Sequence, residues 1–252
     1  MRNIRWLECT VVLATIVTTG ASAWAGPVSV RYPEGVTRGF PVLRSAVGDK
    51  LAQGEIMQVA QGDVVRSRLV FRFQDGSLYD ETVTFSQRGV FTLLSYRLVQ
   101  RGPSFPETVE ARIDRESERY EVRYRADEDS PEEVLSGHFT MPGDTYNGML
   151  STLMKNLPAG GSETVHVLAF TPKPHAVKML LVPSASDAVL VADSPLRATR
   201  FAVRPQLGLF ASLLVTEIPD IHCWILEGDA PGFLRFEGPL YFQGPVWRIE
   251  AN

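Results

Sequence analysis

The chain has 252 residues, 44% of them hydrophobic and 21% charged, so it is long and apolar enough to bury a sizeable core. Its formal net charge is -4, which argues against nucleic acid or anionic lipid headgroups as the main partner, since both reward a basic surface.

Residues 1–25 read as a secretory signal peptide. Arg2 and Arg5 supply a positive start, residues 11–17 an apolar stretch, and Ala21-Ser22-Ala23-Trp24-Ala25 two overlapping small-x-small cleavage sites. The apolar run is too short to span a bilayer, and no later run approaches the roughly 20 residues a spanning helix needs. The expectation is export to the periplasm or beyond, with no transmembrane segment in the mature chain. Cleavage would remove two Arg and one Glu, so the mature part is slightly more acidic. It would also remove Cys9. The residues before Cys9 lack the small side chains of a lipoprotein processing site, so a free product is expected. Cys223 is then left alone, without an intramolecular disulfide partner, and reads as a buried small hydrophobe beside Trp224.

Residues 26–50 are rich in Gly and Pro and predict an irregular arm whose last part joins a sheet. From Gly54 onward the dominant period is two. Val65, Ser67, Leu69, Phe71 and Phe73 alternate with Arg66, Arg68, Val70 and Arg72, as in a half-buried strand. Gln74-Asp75-Gly76 predicts a three-residue hairpin loop. That register sets Phe71 opposite Tyr79 and Val65 opposite Phe85. It also sets Glu81 on the apolar face near Leu69, a local conflict with three readings: a strand end reaching water, a partner of Arg97, or a polar group in the interior. Residues 90–100 are apolar on both faces and read as a central strand covered on both sides. Residues 109–114 and 119–125 read as strands with one solvated face, and residues 127–133 as an acidic turn.

One segment breaks the pattern. Tyr146, Met149, Leu150, Leu153, Met154 and Leu157 share one helical face, with Asp144 as the expected N-cap and Pro158 as the stop. Further strands follow at 164–171, 175–183, 188–192, 196–204, 209–216, 221–226, 233–237 and 246–249, punctuated by prolines. About a dozen strands without βαβ alternation predict a mainly β fold. It is a large curved antiparallel sheet, half-barrel or barrel-like, with one amphipathic helix packed on or inside it. Residues 26–252 are taken as a single β-rich domain.

Candidates for chemistry are sparse. The histidines are His138, His166, His175 and His222. His166 and His175 flank one turn and would approach each other if it closes a hairpin, but neither spacing marks a metal site. Asp75, Asp80 and Glu81 do not converge as calcium ligands should, because Asp80 and Glu81 face opposite ways. No nucleophile elbow or phosphate loop is present. Arg66, Arg68 and Arg72 form a ladder that is either a solvated face balanced by acids or an anion or headgroup contact. No cofactor or metal is expected.

Two stretches, FQDGSLYDETVTFSQRGVFTLLSYRLVQRGPSF (73–105) and FTMPGDTYNGMLSTLMKNL (139–157), together with the leader and the ending Gly244-Pro245-Val246-Trp247-Arg248-Ile249, resemble an uncharacterised group of exported bacterial proteins. The layout is also similar to the open β half-barrels with a helical plug that carry lipids or lipoproteins in the periplasm. That likeness implies a carrier for a lipid or other hydrophobic small molecule. The expected lining is Leu69, Phe71, Phe91, Leu93, Met149, Leu153 and Phe170. The alternative is a non-enzymatic envelope scaffold that docks another envelope protein. A hydrolase using His166, His175 or His222 is the third reading.

Overall fold

The computed structural model describes residues 26–127, 129–206 and 221–251. The expected signal segment and the strand at 209–216 lie outside the described residues. Fifteen strands and one helix are formed among the described residues. They are β1 (Thr37–Gly39), β2 (Val42–Ser45), β3 (Lys50–Gln61), β4 (Val64–Phe73), β5 (Leu78–Ser86), β6 (Thr92–Arg101), β7 (Thr108–Asp114), β8 (Arg119–Arg125) and β9 (Glu133–His138), then α1 (Leu150–Asn156). The second run is β10 (Glu163–Phe170), β11 (Pro174–Val191), β12 (Ser194–Pro205), β13 (Ile221–Leu226), β14 (Gly232–Gly238) and β15 (Trp247–Glu250).

All strand pairings are antiparallel, in one open sheet ordered β10 to β15, then β2 to β9, with β1 added beside β3. The last strand closes the chain onto its beginning, because β15 pairs with β2 from Trp247↔Ser45 to Glu250↔Val42. The sheet curls. Val65, Phe85, Leu93 and Ile113 from one half share a single buried cluster with Val165, Leu181, Phe201 and Ile225 from the other. Tyr146, Met149 and Leu153 fill the space between them. The helix therefore lies inside the curve of the sheet.

The predicted β4–β5 hairpin register holds. Phe71 faces Tyr79, Val65 faces Phe85, and Leu69 faces Glu81. Three local expectations are corrected. Asp144 does not cap the helix: α1 begins at Leu150, with Met149 in the cap position and no side-chain cap. Asp144 lies in a turn instead, and Thr145 makes an isolated parallel bridge with His166 on the free edge of β10. His166 N–H donates to the Asp144 carbonyl at 2.8 Å, and Tyr146 N–H donates to the His166 carbonyl at 2.9 Å. Secondly, β11 runs through Pro183 as one strand, the proline being accommodated by a bulge between Pro183 and Ala185. Thirdly, β6 is not covered on both sides. Its outer face carries Ser95 and the 43%-exposed side chain of Arg97.

A seven-residue helix has little stability of its own, so tertiary contacts must hold it. Tyr146, Met149 and Leu153 are fully buried, and each contributes on the order of 1.5–3 kcal/mol by area. The N-terminal arm straps the helix down. Arg31 and Tyr32 N–H both donate to Asn156 Oδ1 at 2.7 Å, and Arg31 Nη1 donates to the Leu157 carbonyl at 2.8 Å. Lys155 forms an ion pair with Glu34. A second cluster of Leu43, Phe71, Phe73, Phe105, Trp247 and Ile249 fills the other end of the curve. There Phe105 meets Phe73 edge-on at 5.4 Å and Trp247 at 5.9 Å.

Candidate functional site

Two places gather polar groups, one on each face of the sheet. The inner one centres on Glu81. Its strand neighbours Tyr79 and Val83 belong to the aromatic cluster and the helix-filled cluster respectively, so Glu81 sits at the seam between the two cores. Tyr96 Oη donates to Glu81 Oε1 at 2.8 Å. The Tyr96 ring stacks on Phe170 at 6.0 Å between centroids. Burial pushes the Glu81 carboxyl up from the usual carboxylate range, against the opposing pull of hydrogen bonds from Tyr96 and Tyr79. Burial and the nearby Glu81 charge together push both phenols well above their ordinary value.

The loop before the helix is shaped to this carboxylate. Gly148 has φ +66°, and a Cβ there would stand 3.2 Å from Glu81 Cδ. Next to it, Asn147 Nδ2 donates to the Leu168 carbonyl at 2.9 Å, while Leu168 N–H donates to Asn147 Oδ1 at 2.7 Å. That side chain acts as one more strand residue on the β10 edge. Glu81 is half-buried in the middle of β5, so it is not a strand end, and the Arg97-partner reading is set aside. Arg97 lies on the opposite face, where it pairs with Glu110 at 2.8 Å.

The outer place is a trough of about 1020 Å³ running across β4 to β9. Strand pairing builds it from two adjacent rows. The first row is Arg68, Thr82, Arg97, Arg112, Glu121 and Ser136, each facing the next across a strand boundary. The second, two residues along, is Arg66, Thr84, Ser95, Asp114, Arg119 and His138. Every outward side chain in these rows is polar, because alternation puts the apolar partners on the inner face.

The first row is neutralised by Glu121 within it and by Asp80 and Glu110 beside it. Arg68 grips Asp80 with two bonds of 2.9 and 2.6 Å, which raises the Arg68 pKa further. Arg97 and Arg112 face each other directly, an unfavourable juxtaposition of like charges. Each has its own acid: Arg97 pairs with Glu110, and Arg112 with Glu121, both at 2.8 Å. Arg112 first, and Arg123 after it, hold the Glu121 carboxyl below the usual range. The second row differs. Arg66 and Arg119 are exposed and have no carboxylate within 4 Å among the described residues. Asp114 accepts from Ser117 N–H and Oγ at 2.9 and 2.8 Å, which lowers its pKa and keeps it charged. The ladder of Arg66, Arg68 and Arg72 thus splits: Arg68 is paired, Arg66 is not, and Arg72, also without a carboxylate within 4 Å among the described residues, lies outside the trough.

The expected lining residues fall as follows. Phe91, Leu93, Met149 and Leu153 are fully buried together around the helix. Phe71 is fully buried in the second cluster, with Leu69 packed against it. Phe170 lies against Tyr96, at the rim between the helix-filled cluster and a small third one on β7 and β8. His166 and His175 do not meet: His166 faces Lys178 and His175 faces Ala169, three positions further along the hairpin. His166 Nδ1 contacts Asp144 Oδ1 at 2.8 Å. His222 sits beside Trp224, at 5.9 Å between ring centroids. Among the described residues no group of three His, Cys, Asp or Glu is placed to hold a metal ion. No described helix is long and apolar enough to cross a membrane. Cys223 is buried, and burial pushes its thiol up to about 12.

Reading the sequence alone did not find β9, nor therefore the far wall of the trough. Its only signal was the alternation of Val134, Ser136 and His138 after an acidic turn, which is weak because β9 is an edge strand with little to bury.

No family model matches the chain, and no curated protein matches it. Among solved structures the chain is similar to a β-barrel-like protein of a domain of unknown function, DUF1849, from Brucella abortus. The identity is 11% and the TM-score 0.45, over 88% of this chain and 98% of that one.

Proposed function

We propose that this chain is an exported, periplasmic or secreted, non-catalytic interaction module of the bacterial envelope, and that the trough across β4–β9 is its binding face. Export is supported by the leader pattern of residues 1–25. The observation that carries the reading is the division of labour between the faces. The inner face is occupied by the protein's own helix, with Tyr146, Met149 and Leu153 fully buried, whereas the outer face holds an open polar trough. Site-specific photocrosslinking in the native envelope tests it. A crosslinker at Ser136, in the trough, is expected to capture a partner, and one at Arg204, on the far half of the sheet, is not. Equal capture from both positions, or from neither, refutes the reading.

The amphiphile-carrier reading keeps one observation in its favour. Glu81, Tyr96 and Asn147 form a polar knot beside Met149, a flexible side chain suited to adaptable contacts. A lipid there, lined by Phe91, Leu93, Met149, Leu153 and Phe170, requires the helix to withdraw and the Lys155–Glu34 strap to open. Native mass spectrometry of protein taken from its own envelope separates the two: a retained lipid supports carriage, and the bare mass supports the module.

A further inference from the structure

We propose that the trough binds a linear, phosphate-bearing polyanion that reaches from Arg66 to Arg119. The inference rests on the reading of the trough as the binding face and adds the chemistry of what it holds. Five arginines line the trough, Arg66, Arg68, Arg97, Arg112 and Arg119; Asp80, Glu110 and Glu121 neutralise three of them, and Asp114 is the remaining carboxylate. The chain as a whole is acidic, at -4, so Arg66 and Arg119 are positive sites set against the mean.

The three arginines of the first row already have acids and form a neutral, rigid floor. Arg66 and Arg119 do not, and their forked donors are free for an incoming oxyanion. They stand on β4 and β8, four strand spacings apart, roughly 19 Å along the sheet. A single small anion cannot touch both, whereas a chain with repeated anionic groups can. Between them the second row offers Thr84 and Ser95, with Ser117 and Ser136 nearby, hydroxyls that serve the oxygens between charged contacts. His138 closes the row beside Arg119. The charge of Asp114, turned into its own Ser117 loop, is the one unfavourable element.

The form of the lining selects phosphate over other anionic chains. Tyr96, Ile113 and Tyr120 also border the trough, but all three belong to or pack against the inner core, so the two outward rows present no ring for a sugar or base to stack on. Tetrahedral oxyanions match the guanidinium fork without one.

The test is fluorescence anisotropy with labelled polyphosphate on the full mature chain. Inorganic phosphate, polyglutamate and phosphatidylglycerol vesicles serve as comparison probes. Polyphosphate is expected to bind, with affinity falling steeply as salt is raised. The double variant Arg66→Gln/Arg119→Gln should weaken it about tenfold or more, since charge-assisted contacts contribute roughly 1.5–3 kcal/mol each. Both side chains are exposed, so the fold is retained. The control Lys178→Gln/Arg204→Gln removes the same charge from exposed positions on β11 and β12 and should change affinity less than about twofold. The proposal is overturned if the two double variants lose affinity equally, if polyglutamate or the vesicles bind as well as polyphosphate, or if polyphosphate does not bind. A protein captured at Ser136 together with failure of polyphosphate would leave the binding face standing and remove only its chemistry.

Discussion

Glu81 illustrates how one residue can run against the pattern of its strand and still be accommodated. Its pKa is raised by burial, so the folded state holds the proton more tightly than the unfolded chain does. The sign follows from linkage. Stability is fullest below the ordinary glutamate pKa and is lost as pH rises through the raised folded value. Glu81→Gln keeps an acceptor for Tyr96 and removes the titration. Thermal melting from pH 4 to 8 should therefore show the variant gaining on the wild type as pH rises, with the gap narrowing in acid. A gap that is constant across the range would show that the carboxylate is not desolvated. Asn147 makes the complementary case, since its side chain satisfies both backbone groups of Leu168. Asn147→Ala leaves a buried N–H and carbonyl unpaired, at about 1–3 kcal/mol each. Urea midpoints should fall accordingly, and an unchanged midpoint would mean that water replaces the clamp.

At the scale of elements, the sheet is held unevenly. The β11–β12 hairpin is the longest, but beyond the Asp187–Ala198 pair it runs past the last pairing with β13. Leu190 is 76% exposed near its tip, and the turn is made by Ala192 and Asp193, both at positive φ. Asp187, on β11 beyond the bulge, is still tied to the body of the sheet, accepting from Trp224 Nε1 at 2.8 Å. Replacing residues 189–196 by an Asn-Gly turn between Ala188 and Arg197 should therefore preserve the fold. The melting temperature is expected to move by less than about 4 °C, equivalent to roughly 1 kcal/mol for a chain of this size. Loss of folding would show that the arm has a packing role. The helix is the opposite case. It is short, yet Met149 and Leu153 pack into the core cluster that both halves of the sheet share. Leu153→Ala, at a fully buried site, should cost about 2–5 kcal/mol, measured by equilibrium unfolding.

For the whole molecule, the sheet is open in its hydrogen bonds but shut in its packing. Its two ends, β9 and β10, are not bonded to each other, and residues 144–147 cover the β10 edge. Cys223 reports on that closure. Its thiol is 2% exposed and pushed up to about 12, so it should resist a thiol reagent in native buffer and react in step with global unfolding. Fast labelling under native conditions would reveal local opening of β13. Sequence periodicity alone determined the β class, the β4–β5 register, the shared face of Phe71 and Phe85, and the opposed directions of Asp80 and Glu81. Those features depend on alternation within one or two neighbouring segments, and a period of two is a local property of the chain. Only the tertiary structure decided that residues 144–146 cap an edge instead of starting a helix, that β9 exists, and that β15 pairs with β2. It likewise decided that six consecutive strands line one trough with two arginines left unpaired. Each of these depends on which strands become neighbours, and long-range pairing is set by the packing of the whole sheet around its helix.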